Sequence, residues 1–294
     1  MSLVGSPVVT ELDALILAGL NFAYAAIILA MVALGLAVIF GLLGVMNMAH
    51  GEFVMLGAYT AYAVQMAGWP FWTAIPVALV VCSAVGLAIE WSLVRHLYRR
   101  PFDTLLATWG LSILMRETIE IVMGRDFKSV DQVAPGTLSV LGQDYPTYRL
   151  LLMVLICTAF VVLYIWYRRS NTGVQIKAMV ANPVLAASLG INTARLARGA
   201  FVFGVCTAAL AGIALAPLVR VEPYMGIDYL LSSFFVLVIG GLGSLTGLLA
   251  GSSLIAGTDV WVSELLGSTQ GYIAVLVISI LFLWLKPGGL FVRR

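Results

Sequence analysis

The sequence predicts an all-α integral membrane protein, a polytopic bundle of about seven to nine transmembrane helices, some of them discontinuous. Three observations carry this reading. The chain is 62% hydrophobic and only 10% charged, where soluble domains run near 25% charged. Its mean hydropathy is +1.04, so too few polar residues exist to coat the outside of a soluble helical core. The apolar residues also gather in runs near or above the roughly 20 that a helix needs to cross a bilayer. One transmembrane domain, 1–294, follows. Nothing in a net charge of +2 asks for a nucleic-acid partner; membrane lipid is the surrounding that the composition demands.

In chain order, spans are expected at Ala14 to about Met46, Phe53–Ala67, Trp72–Val94, Thr104–Met123, Leu150–Tyr167, Gly199–Val219, Tyr229–Thr258 and Gly271–Leu285. The first would be about 50 Å long at a rise of about 1.5 Å per residue, too long for one upright crossing. Tyr229–Thr258 is equally overlong and is interrupted by "GGLGSLTG" at Gly240–Gly247. Met1–Asp13 holds Glu11 and Asp13 and no basic residue, the reverse of a signal peptide, so no cleaved leader is expected. Cys82, Cys157 and Cys206 lie in apolar runs without CxxC spacing and are expected to be small core hydrophobes.

Charge gives the orientation. Eleven of the sixteen basic residues fall in three segments, around Arg95, Arg99 and Arg100, around Arg168, Arg169, Lys177, Arg195 and Arg198, and at Lys286, Arg293 and Arg294. These are expected to be cytoplasmic. The segment 124–149, with mixed charge and turn residues, is expected to be external. The amino terminus is then outside and the carboxyl terminus inside, which requires an odd number of crossings. Seven and nine both fit, according to whether the glycine-broken run crosses once or doubles back.

Polar residues within spans are expensive and are functional candidates. In "MNMAHGEF" (Met46–Phe53), Asn47, His50 and Glu52 sit where the overlong first run must break. Asn47 is expected to cap a helix starting near Gly51, with Glu52 in its first turn favourable to the helix dipole. Two roles compete for this stretch: a solute pathway inside the bundle, with Tyr59 further along, or a solvated loop at the cytoplasmic face. In the fourth span Thr108, Ser112 and Arg116 recur every four residues on one face, and Arg116 is expected to pair with Glu120 at i,i+4, beside Glu117. Glu90 is expected to pair locally with Arg95 or Arg99. His50 has no second histidine at ligand spacing and no nucleophile is set beside a base, so neither a metal site nor an enzyme is expected. "VLVIGGLGSLTG" fails the dinucleotide-binding spacing, because Thr246 stands where the third glycine belongs. Gly243, Gly247 and Gly251 repeat every four residues instead, a face for close helix packing in lipid. None of the three lysines follows a glycine, so no Walker A loop exists.

The cytoplasmic segment 168–198 is too patterned for a simple connection. Asn182-Pro183 is a helix start and Gly190-Ile191-Asn192 a stop, enclosing one short helix, Val184–Leu189. Such a helix suits docking into another protein's groove or lying on anionic lipid.

Several stretches together resemble the permease subunits of ABC importers of the branched-chain amino acid and urea type. "GVQIKA" and "NPVLAASLGIN" (Gly173–Ala178, Asn182–Asn192) are similar to that family's coupling-helix loop. "GLLGVMNMAHGEFVMLGAYTAY" (Gly41–Tyr62) is similar to its amino-terminal signature, and "RPFDTLLATWGLSIL" (Arg100–Leu114) to the start of its fourth span. "VLVIGGLGSLTGLLAG" (Val236–Gly251) and "KPGGLF" (Lys286–Phe291) resemble its last spans and tail. The resemblance covers essentially the whole chain, in order. It implies a bacterial inner-membrane permease for a small polar solute, either branched-chain amino acids or urea and short amides. It further implies a second permease chain, identical or not, an external solute-binding protein, and two ATPases docked on Asn182, Pro183, Leu185, Ala186, Leu189, Gly190 and Ile191. No cofactor is expected on this chain; the partner subunits would use the ATP. A stand-alone secondary transporter or channel is the alternative.

Overall fold

A computed structural model describes residues 7–98, 100–140, 142–241, 244–286 and 288–290, with side chains described from residue 13. Apolar composition makes helices of nearly all the chain, because in hydrocarbon each backbone N–H and C=O must be paired within its own segment. Among the described residues six helical stretches are long and apolar enough to cross a membrane, and a shorter apolar one, Met225–Gly240, accompanies them. The protein is a polytopic helical membrane protein.

The elements run α1 (Pro7–Leu43), α2 (His50–Met66) and α3 (Ala74–Ile89). A π-helical turn, Glu90–Val94, carries α3 on into α4 (Arg95–Leu97). Then come α5 (Pro101–Met123), the hairpin β1 (Thr137–Val140) with β2 (Gln143–Pro146), α6 (Thr147–Arg169), α7 (Asn171–Ala181), α8 (Pro183–Ser188), α9 (Thr193–Leu215), α10 (Met225–Gly240), α11 (Leu245–Leu266) and α12 (Ser268–Leu285).

Side-chain contacts fix the helix directions. Gly204 of α9 meets Ile39 of α1, while Thr207 meets Gly35 one turn earlier in α1, so these two helices are antiparallel. Glu90 reaches Arg198 and Gly86 reaches Val205, so α3 is antiparallel to α9 as well. Met48 bonds Thr108 and Glu52 bonds Ser112, so α2 and α5 run together. Gly240 faces Gly247, and Val236 faces Gly251, so the glycine-broken run doubles back as an α10–α11 hairpin. Gly271 of α12 meets Asp259 and Ser263 of α11, a further reversal. The start of α1 and the end of α12 therefore lie at opposite ends of the bundle, and α7 and α8 share the end of α12.

Gly247 and Gly251 form the seam of the α10–α11 hairpin, each facing a backbone carbonyl across it. Gly243 lies outside the described residues. The cysteine expectation divides: Cys82 is buried, Cys206 half-buried, and Cys157 is exposed on the outer face of α6.

Glu90 does not pair with Arg95. Its carboxylate accepts from Arg198 Nε at 3.2 Å and from the Tyr98 hydroxyl at 3.2 Å, while Arg95 stacks on Trp91. The π turn, a feature common at functional positions, begins at Glu90 and turns that carboxylate inward. Burial first, and then the charge of Glu90, push the Tyr98 phenol up. Arg99, the other expected partner, lies outside the described residues.

Among the tight helix approaches is that of Gly51 of α2 against Gly226 of α10. A Cβ built at Gly226 falls 2.6 Å from the Gly51 carbonyl oxygen, and backbone on both sides leaves nothing to move aside. Gly226→Val is expected to destabilise by about 1–3 kcal/mol or more through overpacking, read as a lowered unfolding temperature in detergent. An unchanged temperature would show that α10 does not hold against α2.

Candidate functional site

The site is built at the break between α1 and α2. α1 runs on to Leu43, and residues 44–49 lead the chain back to begin α2 well inside the bundle. His50 at the head of α2 donates its Nε2 hydrogen to the Val32 carbonyl at 2.9 Å, and Val32 lies eleven residues before the end of α1. Glu52 meets Ser112, the middle residue of the 23-residue α5. The break is thus halfway through the bundle, and Asn47, His50 and Glu52 are each 2% exposed or less. They are not residues of a solvated end loop.

Two expected pairings are replaced. Asn47 does not cap α2: the cap position is Ala49, with no side-chain bond to the helix. Its Oδ1 accepts instead from the Ala49 N–H at 3.1 Å, closing the turn that precedes the helix. The turn uses Asn47 because the chain must reverse within 44–49 before a helix can start. Arg116 does not pair with Glu120. It turns towards α2, donating from Nη2 to Glu52 Oε1 at 2.8 Å and to Ser112 Oγ at 3.1 Å. Ser112 donates to the same carboxylate oxygen at 2.7 Å. Glu120 is taken by Arg125 and accepts from the Tyr224 hydroxyl at 3.3 Å. A buried carboxylate draws the guanidinium more strongly than a neighbour near the bundle's end, where Arg125 is available.

Thr108 and Ser112 are buried on the α5 face that meets α2, and the Thr108 hydroxyl accepts the Met48 N–H at 3.1 Å. Glu117 is exposed on the other side of α5, apart from this cluster. Tyr59 is buried about two and a half turns along α2. Sequence reasoning missed Tyr224, whose ring stacks under the Arg116 guanidinium at 5.1 Å, and Gly226, which seats the first turn of α2. Neither sequence distance nor residue type signals these contacts across more than a hundred residues.

The buried polar side-chain atoms without a partner, among the described residues, are Asn47 Nδ2, His50 Nδ1, Glu52 Oε2, Tyr59 Oη and Arg116 Nε. Four of the five residues lie on α2 or the turn before it, and the fifth bonds directly to it. Such atoms cost about 1–3 kcal/mol each when left unpaired. The residues do not share one neighbour: His50 bonds Val32 of α1, whereas Glu52 bonds Ser112 of α5. The open capacity comprises a carboxylate oxygen, guanidinium and amide donors, a phenol and an imidazole nitrogen.

At the other functional end, three side-chain caps order the loop. Ser170 Oγ accepts from the Gly173 N–H to start α7, Asn182 Oδ1 from the Leu185 N–H to start α8, and Asn192 Oδ1 from the Arg195 N–H to start α9. Gly190, at φ +83°, ends α8, and Ile191 N–H returns to the Ala186 carbonyl at 3.1 Å. Ala186 is buried, whereas Val184, Leu185 and Leu189 are 78%, 56% and 72% exposed. Pro183 stands in the first turn, as expected. The eleven-residue α7 was not legible, because it has no stop of its own: Asn182, where it ends, is the cap of α8.

A polytopic bundle with a buried polar break and an exposed, capped helix at one end defines a membrane transport protein. The chain belongs to the family described as "Branched-chain amino acid transport system / permease component", whose model matches residues 19–285. It is a transport permease rather than an enzyme. It is 26% identical over 280 residues to the high-affinity branched-chain amino acid transport system permease protein LivH of Escherichia coli K12, covering 90% of this chain and 91% of the relative. BraD of Pseudomonas aeruginosa, described in the same words, is 25% identical over 284 residues, again covering 90% and 91%. LivM of Salmonella typhimurium is 26% identical over 241 residues, 72% of this chain and 56% of LivM. Among solved structures, "PsaBC from Streptococcus pneumoniae in complex with Fab" superposes with a TM-score of 0.50 at 11% identity, covering 91% of both chains, and shows a shared fold.

Proposed function

We propose that the chain is the permease subunit of an ATP-driven importer that carries branched-chain amino acids, with the polar break at Asn47–Glu52 on the solute's route. The observation that carries this is the set of unpartnered buried atoms on Asn47, His50, Glu52, Tyr59 and Arg116. Hydrogen-bonding capacity left open deep in an apolar bundle serves a polar solute that passes through. The Glu52–Arg116 pair is suited to the ammonium and carboxylate of a zwitterion, which favours an amino acid over urea. The names of the relatives favour the same substrate.

The remaining parts of the assembly follow from this reading. A second permease chain, identical or different, would share the membrane. Two ATPases would dock on Val184, Leu185 and Leu189 and supply the ATP hydrolysis, with no cofactor held by this chain. An external solute-binding protein would deliver solute at the end with the β1–β2 hairpin. The basic segments 95–100 and 168–198 and Lys286 favour a cytoplasmic α7–α8 end, with the amino terminus outside.

The test is ATP-driven uptake of labelled leucine into vesicles holding the assembled importer. Asn47→Ala and His50→Ala are each expected to lower uptake at least about tenfold, the effect of losing roughly 1.4 kcal/mol from passage. Wild-type rates in both variants, or transport of urea in place of leucine, would refute the proposal.

A further inference from the structure

A cavity of about 320 Å³ lies between α1, α10, α11, α12 and the end of α9, within this one chain. It is separate from the α2–α5 face that holds Glu52 and Arg116. Its rim carries Arg149 from the first turn of α6, Tyr24, Asp259 and Tyr272, and its inner wall includes Val32, Phe235 and Leu276. From Tyr24 to Val32 is eight residues of α1, a depth of about 12 Å. The rim is at the β-hairpin end, opposite the exposed α8. The inner wall includes Val32, the residue whose carbonyl holds His50.

Of the two charges that line it, Arg149 is held in place and Asp259 is exposed. Arg149 Nη1 donates to Asn21 Oδ1 at 3.1 Å, and its guanidinium lies over the Tyr24 ring at 5.0 Å. That leaves a fixed cation with further N–H donors to offer. Asp259 accepts, among the described residues, one bond from the Ser263 hydroxyl at 3.3 Å, so its carboxylate keeps acceptor capacity. A held guanidinium, an under-used carboxylate and an apolar wall are the complements of a carboxylate, an ammonium and an aliphatic side chain. The volume is at the small end of ligand cavities, enough for one amino acid of leucine size. Urea has neither charge nor tail and would leave most of these features unused.

We infer that this cavity binds the zwitterion of a branched aliphatic amino acid, its carboxylate at Arg149, its ammonium at Asp259 and its side chain against Val32, Phe235 and Leu276. Each permease chain then carries its own solute-holding site ahead of the break. The inference rests on the importer reading and adds to it a site that the Glu52–Arg116 cluster does not provide.

The experiment uses the purified full chain with Ser232, a wall residue of the cavity, replaced by cysteine in a Cys157→Ser background, and follows maleimide labelling. Leucine at ten times its Kd is expected to slow labelling about tenfold. Isoamylamine and 4-methylpentanoate, each lacking one of leucine's charges, are expected to protect far less. Arg149→Gln and Asp259→Asn should each weaken leucine protection roughly ten- to a hundredfold, the loss of one charge-assisted hydrogen bond. The unfolding temperature of the unmodified chain, raised by leucine and not by the two analogues, gives a second readout that needs no cysteine. Equal protection by all three compounds would reduce the cavity to an apolar hole and overturn the inference. So would absence of any leucine effect on a chain that supports ATP-driven leucine uptake. Protection and stabilisation by leucine without ATP-driven uptake would leave the inference standing and overturn the importer reading instead.

Discussion

Arg116→Ala is expected to lower the stability of the solubilised chain by about 3–5 kcal/mol, the cost of leaving one partner of a buried ion pair alone, and to abolish uptake. Glu52 is 2% exposed and has one oxygen already without a partner. Removing the guanidinium strips the other oxygen of its charged donor, leaving the Ser112 hydroxyl as its remaining bond. The double variant Glu52→Gln with Arg116→Gln keeps hydrogen-bonding groups on both sides and removes both charges. It is expected to regain most of the stability, as paired neutral replacements of buried ion pairs do. Uptake separates the two roles of the pair. If the double variant folds and remains inactive, the charges act on the solute; if it folds and transports at the wild-type rate, the pair only holds α2 against α5. A single Arg116→Ala chain with wild-type unfolding and uptake would show that the pair matters to neither.

How much of this was legible in the sequence depends on the range of the interaction. Helix existence was legible almost everywhere, because it rests on apolar runs and local backbone pairing. The start and stop of α8 were legible too, since Asn182, Pro183 and Gly190 act within one or two turns. Choice of partner was not. Arg116 has Glu120 one turn away and Glu90 has Arg95 five residues on, and local reasoning assigns those pairs. The structure gives them Glu52 and Arg198, at separations of 64 and 108 residues. Burial decides here: a carboxylate in the interior gains far more from a cation than one near the bundle's end. The depth of the break was illegible for the same reason. Nothing in "MNMAHGEF" reports that residues 44–49 carry the chain back inside, which is set by Val32, Thr108 and Gly226 on three other helices.

Leu185→Asp with Leu189→Asp is expected to leave the permease inserted and folded while eliminating ATP-driven uptake and co-purification of the ATPases. The two leucines are 56% and 72% exposed, so the substitutions cost little in the isolated chain, where surface changes typically stay within about 0.5 kcal/mol. The helix itself should persist, because its cap, its proline and its glycine stop lie elsewhere, and buried Ala186 anchors it to the bundle. In a complex the same side chains are the apolar anchors available to a partner's groove, and losing such an anchor costs about 2 kcal/mol or more. Two of them together would weaken docking on the order of a thousandfold, since each 1.4 kcal/mol is a factor of ten. Leucine-dependent stabilisation of the chain should be untouched, because the cavity at Arg149 is at the opposite end. A stand-alone carrier would predict the reverse, with uptake unaffected by charge on a helix that docks no partner. Retained uptake in the double aspartate variant would therefore reject the motor-docking role of α8 and with it the ATP-driven mechanism.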